Sequence, residues 1–321
     1  MIIDVRCRYV TQDAAKYFAH STNIETHASP ESYFEWLEKC GVQVSLSPTA
    51  ASLGLKLGRW DLPPRIVNND EQAELQRNYP RRFVGVAGID PGNAVHQGLP
   101  ELERCVKELG LRVATIEPGR KPLLAPNPAD RRLYDFYSLA EELEVPVIIQ
   151  TSGLKGGVTF DYAHPRWIDQ VAHDFPDLNI ICAHGCVPFM RELECVLWRR
   201  PNVYASPDCY TITNLAACTR YPHRQLIFGS GYPFGPVRDM IQLYLAAFWR
   251  RGSLDDIMYR NAIRALRLER QPFFASMLDK SGSFGTSVRI RARMALLIKY
   301  GVAEPTRRLF RNEKGSGDPG D

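Results

Sequence analysis

No apolar run in this chain of 321 residues approaches the roughly 18 to 20 residues needed to cross a bilayer. That leaves no reason to expect a membrane protein. The start, MIIDVRCRYV, goes straight into a β-rich run with charges inside it. It has no basic stretch followed by an apolar one, so a secretory leader is not expected. Charge of one sign is also scarce: 40 Lys and Arg against 36 Asp and Glu give a net charge of +4. This balance is too mild to point to nucleic acid, and part of it belongs to the tail, where residues 279–321 carry nine basic and five acidic side chains. Such charge runs usually face water. The cysteines, at 7, 40, 105, 182, 186, 195, 209 and 218, form no paired C-x-x-C pattern. Scattered thiols in apolar segments suit a reduced, cytoplasmic protein. Finally, no G-x-G-x-x-G follows the first strand-like run, which argues against a dinucleotide-binding sheet.

What the sequence does have is alternation. Eight β-rich runs recur: 2–7, 42–47, 83–89, 112–117, 145–150, 179–184, 202–206 and 225–230. Their nearly continuous apolar character is that of parallel strands covered on both faces. Helical periodicity fills the intervals. Ser29-Pro30-Glu31 offers an N-cap, a proline for the first turn and an acidic residue near the helix start, with Gly41 as the stop. Leu99, Leu102, Val106 and Leu109 share one helical face ahead of Gly110. Other helices are expected over 69–78, 129–143, 165–175, 188–198, 236–249 and 254–266. Repeated strand–helix–strand units of this kind imply an α/β fold that closes as a (β/α)8 TIM barrel over residues 1–271. Two stretches exceed a minimal barrel. Residues 48–64 read as a long loop, and 272–321 as a C-terminal extension, helical around 288–300 and disordered at its end.

In a parallel barrel the active site lies at the C-terminal ends of the strands. Those ends carry Arg6-Cys7-Arg8, Ser47-Pro48, Asp90-Pro91, Glu117-Pro118-Gly119-Arg120, Gln150-Thr151, His184-Gly185, Ser206-Pro207-Asp208 and Ser230-Gly231-Tyr232-Pro233. Arg6 and Arg8 alternate with Cys7, so both point to one face of the strand, the barrel interior. Buried arginines need partners. Glu117, Asp208 and Asp90 could form salt bridges with them. Alternatively, the arginines receive the carboxylate or phosphate of a ligand through paired hydrogen bonds, with Arg120 joining. His184 is either a proton-transfer residue, suited to that role near neutral pH, or a buried histidine that only hydrogen-bonds. Cys182, His184 and Cys186 lack the spacing of a zinc cluster. His20, His27 and His164 read as surface loop residues. Tyr162, Trp60 and Tyr210 are possible lining of the pocket mouth.

Four stretches, in order along the chain, resemble the amidohydrolase-related family that includes aminocarboxymuconate-type and dihydroxybenzoate-type decarboxylases and several lactonases. Ile3-Asp4-Val5-Arg6-Cys7-Arg8 stands where the family has I-D-x-H-x-H. Pro146 to Thr151 stands where it has P-V-x-I-H-T, and Phe175 to His184 follows its F-P-x-L…H pattern. Phe228-Gly229-Ser230-Gly231-Tyr232-Pro233 stands where it has F-G-S-D-Y-P, and Asn261-Ala262 also fits. The resemblance implies a barrel over roughly residues 1–268. It also implies a divalent metal held by the two histidines of strand one, the histidine of strand five and the aspartate of strand eight. Here those positions are Arg6, Arg8, Gln150 and Gly231. Arginine stays protonated and has no lone pair to give, glycine has no side chain, and glutamine is a poor zinc ligand. No metal and no other cofactor are therefore expected.

The function expected is that of a metal-independent hydrolase or lyase acting on a small carboxylate: lactone hydrolysis, dehydration, isomerisation or decarboxylation. In it His184 and Asp208 are catalytic, and Arg6, Arg8, Arg120, Gln150 and Glu117 bind substrate. The alternative is an inactive barrel that binds a metabolite or an active paralogue. A homodimer, or a heterodimer with a related barrel, is the expected assembly.

Overall fold

The computed structural model describes residues 1–15, 24–51, 55–57, 60–62, 67–90, 98–119, 126–154, 159–247, 249, 252–279 and 292. The strands in chain order are β1 (Ile3–Asp4), β2 (Val44–Leu46), β3 (Leu55–Leu57), β4 (Trp60–Leu62), β5 (Phe83–Val84), β6 (Ala87–Gly88), β7 (Ala114–Ile116), β8 (Val147–Gln150), β9 (Ile180–Ala183) and β10 (Val203–Ser206). All except the β3–β4 hairpin pair in parallel, as β1-β2-β5 and as β10-β9-β8-β7-β6. The two sheets are halves of one (β/α)8 barrel. Phe83–Val84 pairs with β2 while Ala87–Gly88 pairs with β7, so the third stave belongs to both. The other join runs through the chain after Gln225. Ile227 N–H donates to Ala205 O at 2.9 Å, and Val5 N–H to Phe228 O at 3.3 Å. Isolated bridges Ala205↔Leu226 and Cys7↔Tyr232 complete it.

The staves are buried because helices cover their outer face and side chains fill the interior. Every residue of β8 and β9 is buried, the expected state of central parallel strands. The helices obey the local signals that place them. Pro30–Cys40 starts at Ser29, whose side chain accepts from Ser32 N–H at 3.3 Å in a reciprocal capping box. It ends at Gly41 with φ +88°, a left-handed cap that glycine takes without penalty. Asn69–Asn78, Leu99–Lys107, Tyr134–Glu142, Pro165–Asp174, Met190–Arg199 and Val237–Ala246 follow. Gly110 has φ +71°, as its position after an amphipathic helix suggests.

Four readings need correction. The run 83–89 is interrupted at Gly85, where an added Cβ would lie 2.5 Å from Leu111 Cδ2 and 2.8 Å from Gln72 O. The run 225–230 forms bridges and single hydrogen bonds but no regular strand among the described residues. The 48–64 loop contains the antiparallel β3–β4 hairpin. The last expected helix is broken into Ser253–Asp255, a π-helical Asp256–Arg260 and Asn261–Ala265. After it, Pro272–Leu278 is helical with Phe274 and Met277 buried. The helix expected around 288–300 and the disorder expected at the end lie outside the described residues, save Ala292. Among the described residues no helix is long and apolar enough to cross a membrane.

Candidate active site

Arg6 leaves the end of β1 and turns into the barrel. Its backbone is fixed from below by Asp4, whose Oδ1 accepts from Arg6 N–H at 3.0 Å and from Ser230 N–H at 2.9 Å. Gly229 makes room for the side chain, since a Cβ there would sit 3.2 Å from Arg6 Cβ and Cγ and 2.7 Å from Ser206 Oγ. The guanidinium then meets three staves. Nη1 donates to Gln150 Oε1 at 2.7 Å. Nη2 lies 3.0 Å from His184 Nε2. Nε lies 3.3 Å from Asp208 Oδ2, with both side chains almost wholly buried. Of the three acidic partners open in the sequence, Asp208 is the one that pairs with Arg6, through charge and without a hydrogen bond from Nε.

Asp208 also holds His184. Its Oδ1 accepts from His184 Nδ1 at 3.2 Å and its Oδ2 from the His184 backbone N–H at 3.2 Å, with Oδ2 2.9 Å from Nδ1. Cys209 Sγ donates to Oδ1 at 3.2 Å. The backbone at both residues is unusual: φ is +69° at His184 and +45° at Asp208. Positive φ in a non-glycine residue costs on the order of 1–3 kcal/mol and concentrates at functional sites. Next to the pair, Tyr210 sets its ring edge-on to His184 with centroids 5.5 Å apart. Its hydroxyl is 3.1 Å from Ser152 Oγ.

Burial and charge shift several titrating groups here. Burial disfavours the Asp208 carboxylate, but His184, Arg6 and the Cys209 hydrogen bond together hold its pKa below the usual range. Burial lowers the His184 pKa, reinforced by Arg6 and Arg8 and opposed by Asp208. Arg8 stands half-buried at the mouth, and burial and then Arg6 pull its pKa down to about 9, still cationic near neutrality. Asp4, sealed beneath the site, is pushed up to about 6 by burial.

The other expected site residues divide. Gln150 is in the cluster, and its Nε2 donates to Thr115 Oγ1 at 3.3 Å. Glu117 is buried at the end of the β7 stave. Arg120 lies outside the described residues. Tyr162 is buried, its hydroxyl bonded to Ser152 O at 2.8 Å; the Trp60 side chain and His20 lie outside the described residues. His27 is not a surface residue: it is buried among Tyr9, Tyr33 and Trp36. His164 accepts from Arg166 N–H at 3.2 Å and caps the helix Pro165–Asp174. The supporting roles of Asp4, Cys209 and Ser152 were missed. Asp4 had a signal, since it shares the parity of Arg6 and Arg8 on one strand.

A metal does not fit this donor set. The Arg6 guanidinium lies against Gln150, His184 and Asp208, the side chains that would have to turn toward a dication. His184, Asp208 and Cys209 do bring potential ligand atoms within 4.8 Å of one another. However, His184 Nδ1 and Cys209 Sγ are already spent on the Asp208 carboxylate. Burial pushes the Cys209 thiol well up, so no thiolate is on offer. Gly231 has φ +72°, and a Cβ there would meet Cys209 N at 3.0 Å and its Sγ at 3.1 Å.

A parallel barrel with a buried histidine–aspartate pair at the C-terminal ends of its strands defines the class. Residues 47–268 match the amidohydrolase family model (the amidohydrolase 2 group), and the chain belongs to that family. Among curated proteins it is similar to 2-keto-4-carboxy-3-hexenedioate hydratase from Sphingobium sp., 32% identical over 162 residues, 44% of this chain and 48% of the relative. The match thus spans about half the length of that relative. An uncharacterised TIM-barrel protein from Bordetella bronchiseptica is 25% identical with a TM-score of 0.66, covering 84% of this chain and 99% of the other. 4-Oxalomesaconate hydratase from Rhodopseudomonas palustris is 20% identical with a TM-score of 0.59, covering 87% and 98%. 2,6-Dihydroxybenzoate decarboxylase from Rhizobium is 16% identical with a TM-score of 0.60, covering 84% and 99%. The last two likenesses are of fold.

Proposed function

We propose that the protein is a lyase of the hydratase type, adding or removing water at a carbon–carbon double bond in a small carboxylate. The observation that carries this reading is the Arg6–His184–Asp208 arrangement. It combines a proton-transfer pair with a buried guanidinium, in a setting where charge interactions are strong. In the hydration direction, His184 Nε2 takes a proton from water as the water oxygen bonds to the far alkene carbon. The electron pair moves into the conjugated carbonyl, and a guanidinium stabilises the resulting oxyanion. The proton is then delivered to the near carbon, so that one water is added overall. Asp208 keeps the imidazole oriented and supports its charged form. Arg8, two residues on, adds positive charge for the substrate carboxylate. The similarity to a protein named as a hydratase supports this over hydrolysis of an amide, and the named relatives being enzymes speaks against a barrel that only binds.

The test is a turnover screen of small unsaturated and hydroxylated keto acids, followed by loss of conjugated absorbance on hydration or its gain on dehydration. The wild type should turn over at least one, and His184→Asn and Asp208→Asn should lose roughly 100-fold or more. No turnover of any such acid by the wild type, with no binding of any of them, would sink the reading.

A further inference from the structure

The contact between Arg6 and His184 fixes more than position. A guanidinium has five donors and no acceptor. At 3.0 Å from Nη2, His184 Nε2 must therefore present its lone pair to arginine. Nδ1 must then carry the ring proton and donate it to Asp208 Oδ1, 3.2 Å away. The imidazole is thus neutral, in one tautomer, and its only basic atom is covered. We propose that Arg6 is a removable cap on His184, and that a substrate carboxylate uncovers the base by drawing the guanidinium away. This rests on the carboxylate reading above.

The partners of Arg6 make the exchange favourable. Nη1 and Nη2, the two nitrogens suited to a carboxylate, are held by an amide oxygen and a neutral ring nitrogen. Charge-assisted, paired bonds to a carboxylate are roughly twice as strong as neutral ones. Nε, in contrast, faces the charged Asp208, an anchor that a ligand need not displace. The side chain can keep that hold while its tip changes partner. Arg8, near enough for its charge to act on His184, favours the arrival of an anion. Among the described residues, the charged groups that act on the imidazole are Asp208, Arg6 and Arg8, with Cys209 bonded to Asp208 and Tyr210 edge-on to the ring. Neutralising the nearest cation lets Asp208 dominate, so carboxylate binding should make His184 more basic at the moment a base is needed.

The experiment is ring-nitrogen NMR of the full chain with labelled histidine, with His184 assigned from the His184→Asn spectrum. The probe is succinate at matched ionic strength. Without probe, wild-type His184 should show the Nδ1–H tautomer and titrate below the ordinary histidine range. Saturating succinate should raise its pKa by about one unit or more, the size expected when a neighbouring charge is neutralised. Arg6→Gln should show the raised pKa without succinate and no further response to it. Three results would overturn the cap: an Nε2–H tautomer in the free wild type, succinate binding that stabilises the protein with His184 unchanged, or an unchanged His184 pKa in Arg6→Gln. If Arg6→Gln does not fold, the wild-type tautomer and the succinate response still decide. Absence of any succinate binding sinks the uncovering step and counts against the carboxylate reading itself; Arg6→Gln then judges the capping contact by itself.

Discussion

Replacing Arg6 by methionine tests whether the charge at the centre of the barrel is structural. Methionine keeps most of the aliphatic length and removes all three polar contacts. The Asp208 carboxylate, fully buried and 3.3 Å from Arg6 Nε, loses its guanidinium and keeps His184 and Cys209. Gln150 Oε1 loses a donor at 2.7 Å. Breaking a buried ion pair by removing one member costs roughly 3–5 kcal/mol, because the remaining charge has been taken out of water. With a urea dependence of about 3 kcal/mol per molar, the unfolding midpoint should fall by roughly 1 to 1.7 M. The double variant Arg6→Met/Asp208→Asn removes the stranded charge, so its loss should be smaller than the sum of the two single losses. Urea titrations followed by tryptophan fluorescence measure both. An Arg6→Met midpoint within about 0.2 M of wild type would refute the reasoning, since it would mean that Asp208 is satisfied without arginine.

Four further outcomes are expected. Purified protein should carry well under one equivalent of zinc, iron or manganese, and chelators should leave its melting temperature unchanged; elemental analysis near one tightly bound metal per chain would contradict the donor-set argument. Gly231→Ala should destabilise by about 1–2 kcal/mol because φ is +72° there, and the combined Arg6→His, Arg8→His, Gln150→His, Gly231→Asp variant should fail to bind zinc unless Cys209 shifts, as calorimetric titration would show. Asp4 holds its proton to about pH 6 when folded but loses it near 3.8 when unfolded. The native state therefore binds more protons between these values, and its stability falls as pH rises from 4 to 6, by at most about 3 kcal/mol. Asp4→Asn should flatten that part of the stability profile in urea titrations at a series of pH values, gaining stability at pH 8 and little at pH 4.

The barrel was legible because its signals are local. A capping serine before Pro30 and a run such as Val147–Gln150 announce themselves within a few residues. The split third stave was not, because the break at Gly85 comes from the approach of Gln72 and Leu111, which only the packed structure brings there. The site was half legible for the same reason. Strand ends identified Arg6, Gln150, His184 and Asp208 as neighbours of one mouth. The choice of Asp208 over Glu117 and Asp90 as the partner of Arg6 depended on closure of the barrel and on the left-handed turn at Asp208. Neither leaves a mark in the local sequence. Arg6 and Arg8 look equivalent in the sequence, yet the space beside Gly229 admits the Arg6 shaft to the interior, while Arg8 remains at the mouth.

The contacts of Arg6 run across the lumen, from the first stave to the fifth, sixth and seventh, while the seam beside it is closed by a few bridges and long backbone contacts. One side chain is therefore a strut for the mouth as well as the cation nearest the His184–Asp208 pair. A molecule that recruits its tip loosens a brace, so tighter ligand binding and a stiffer mouth compete for the same atoms.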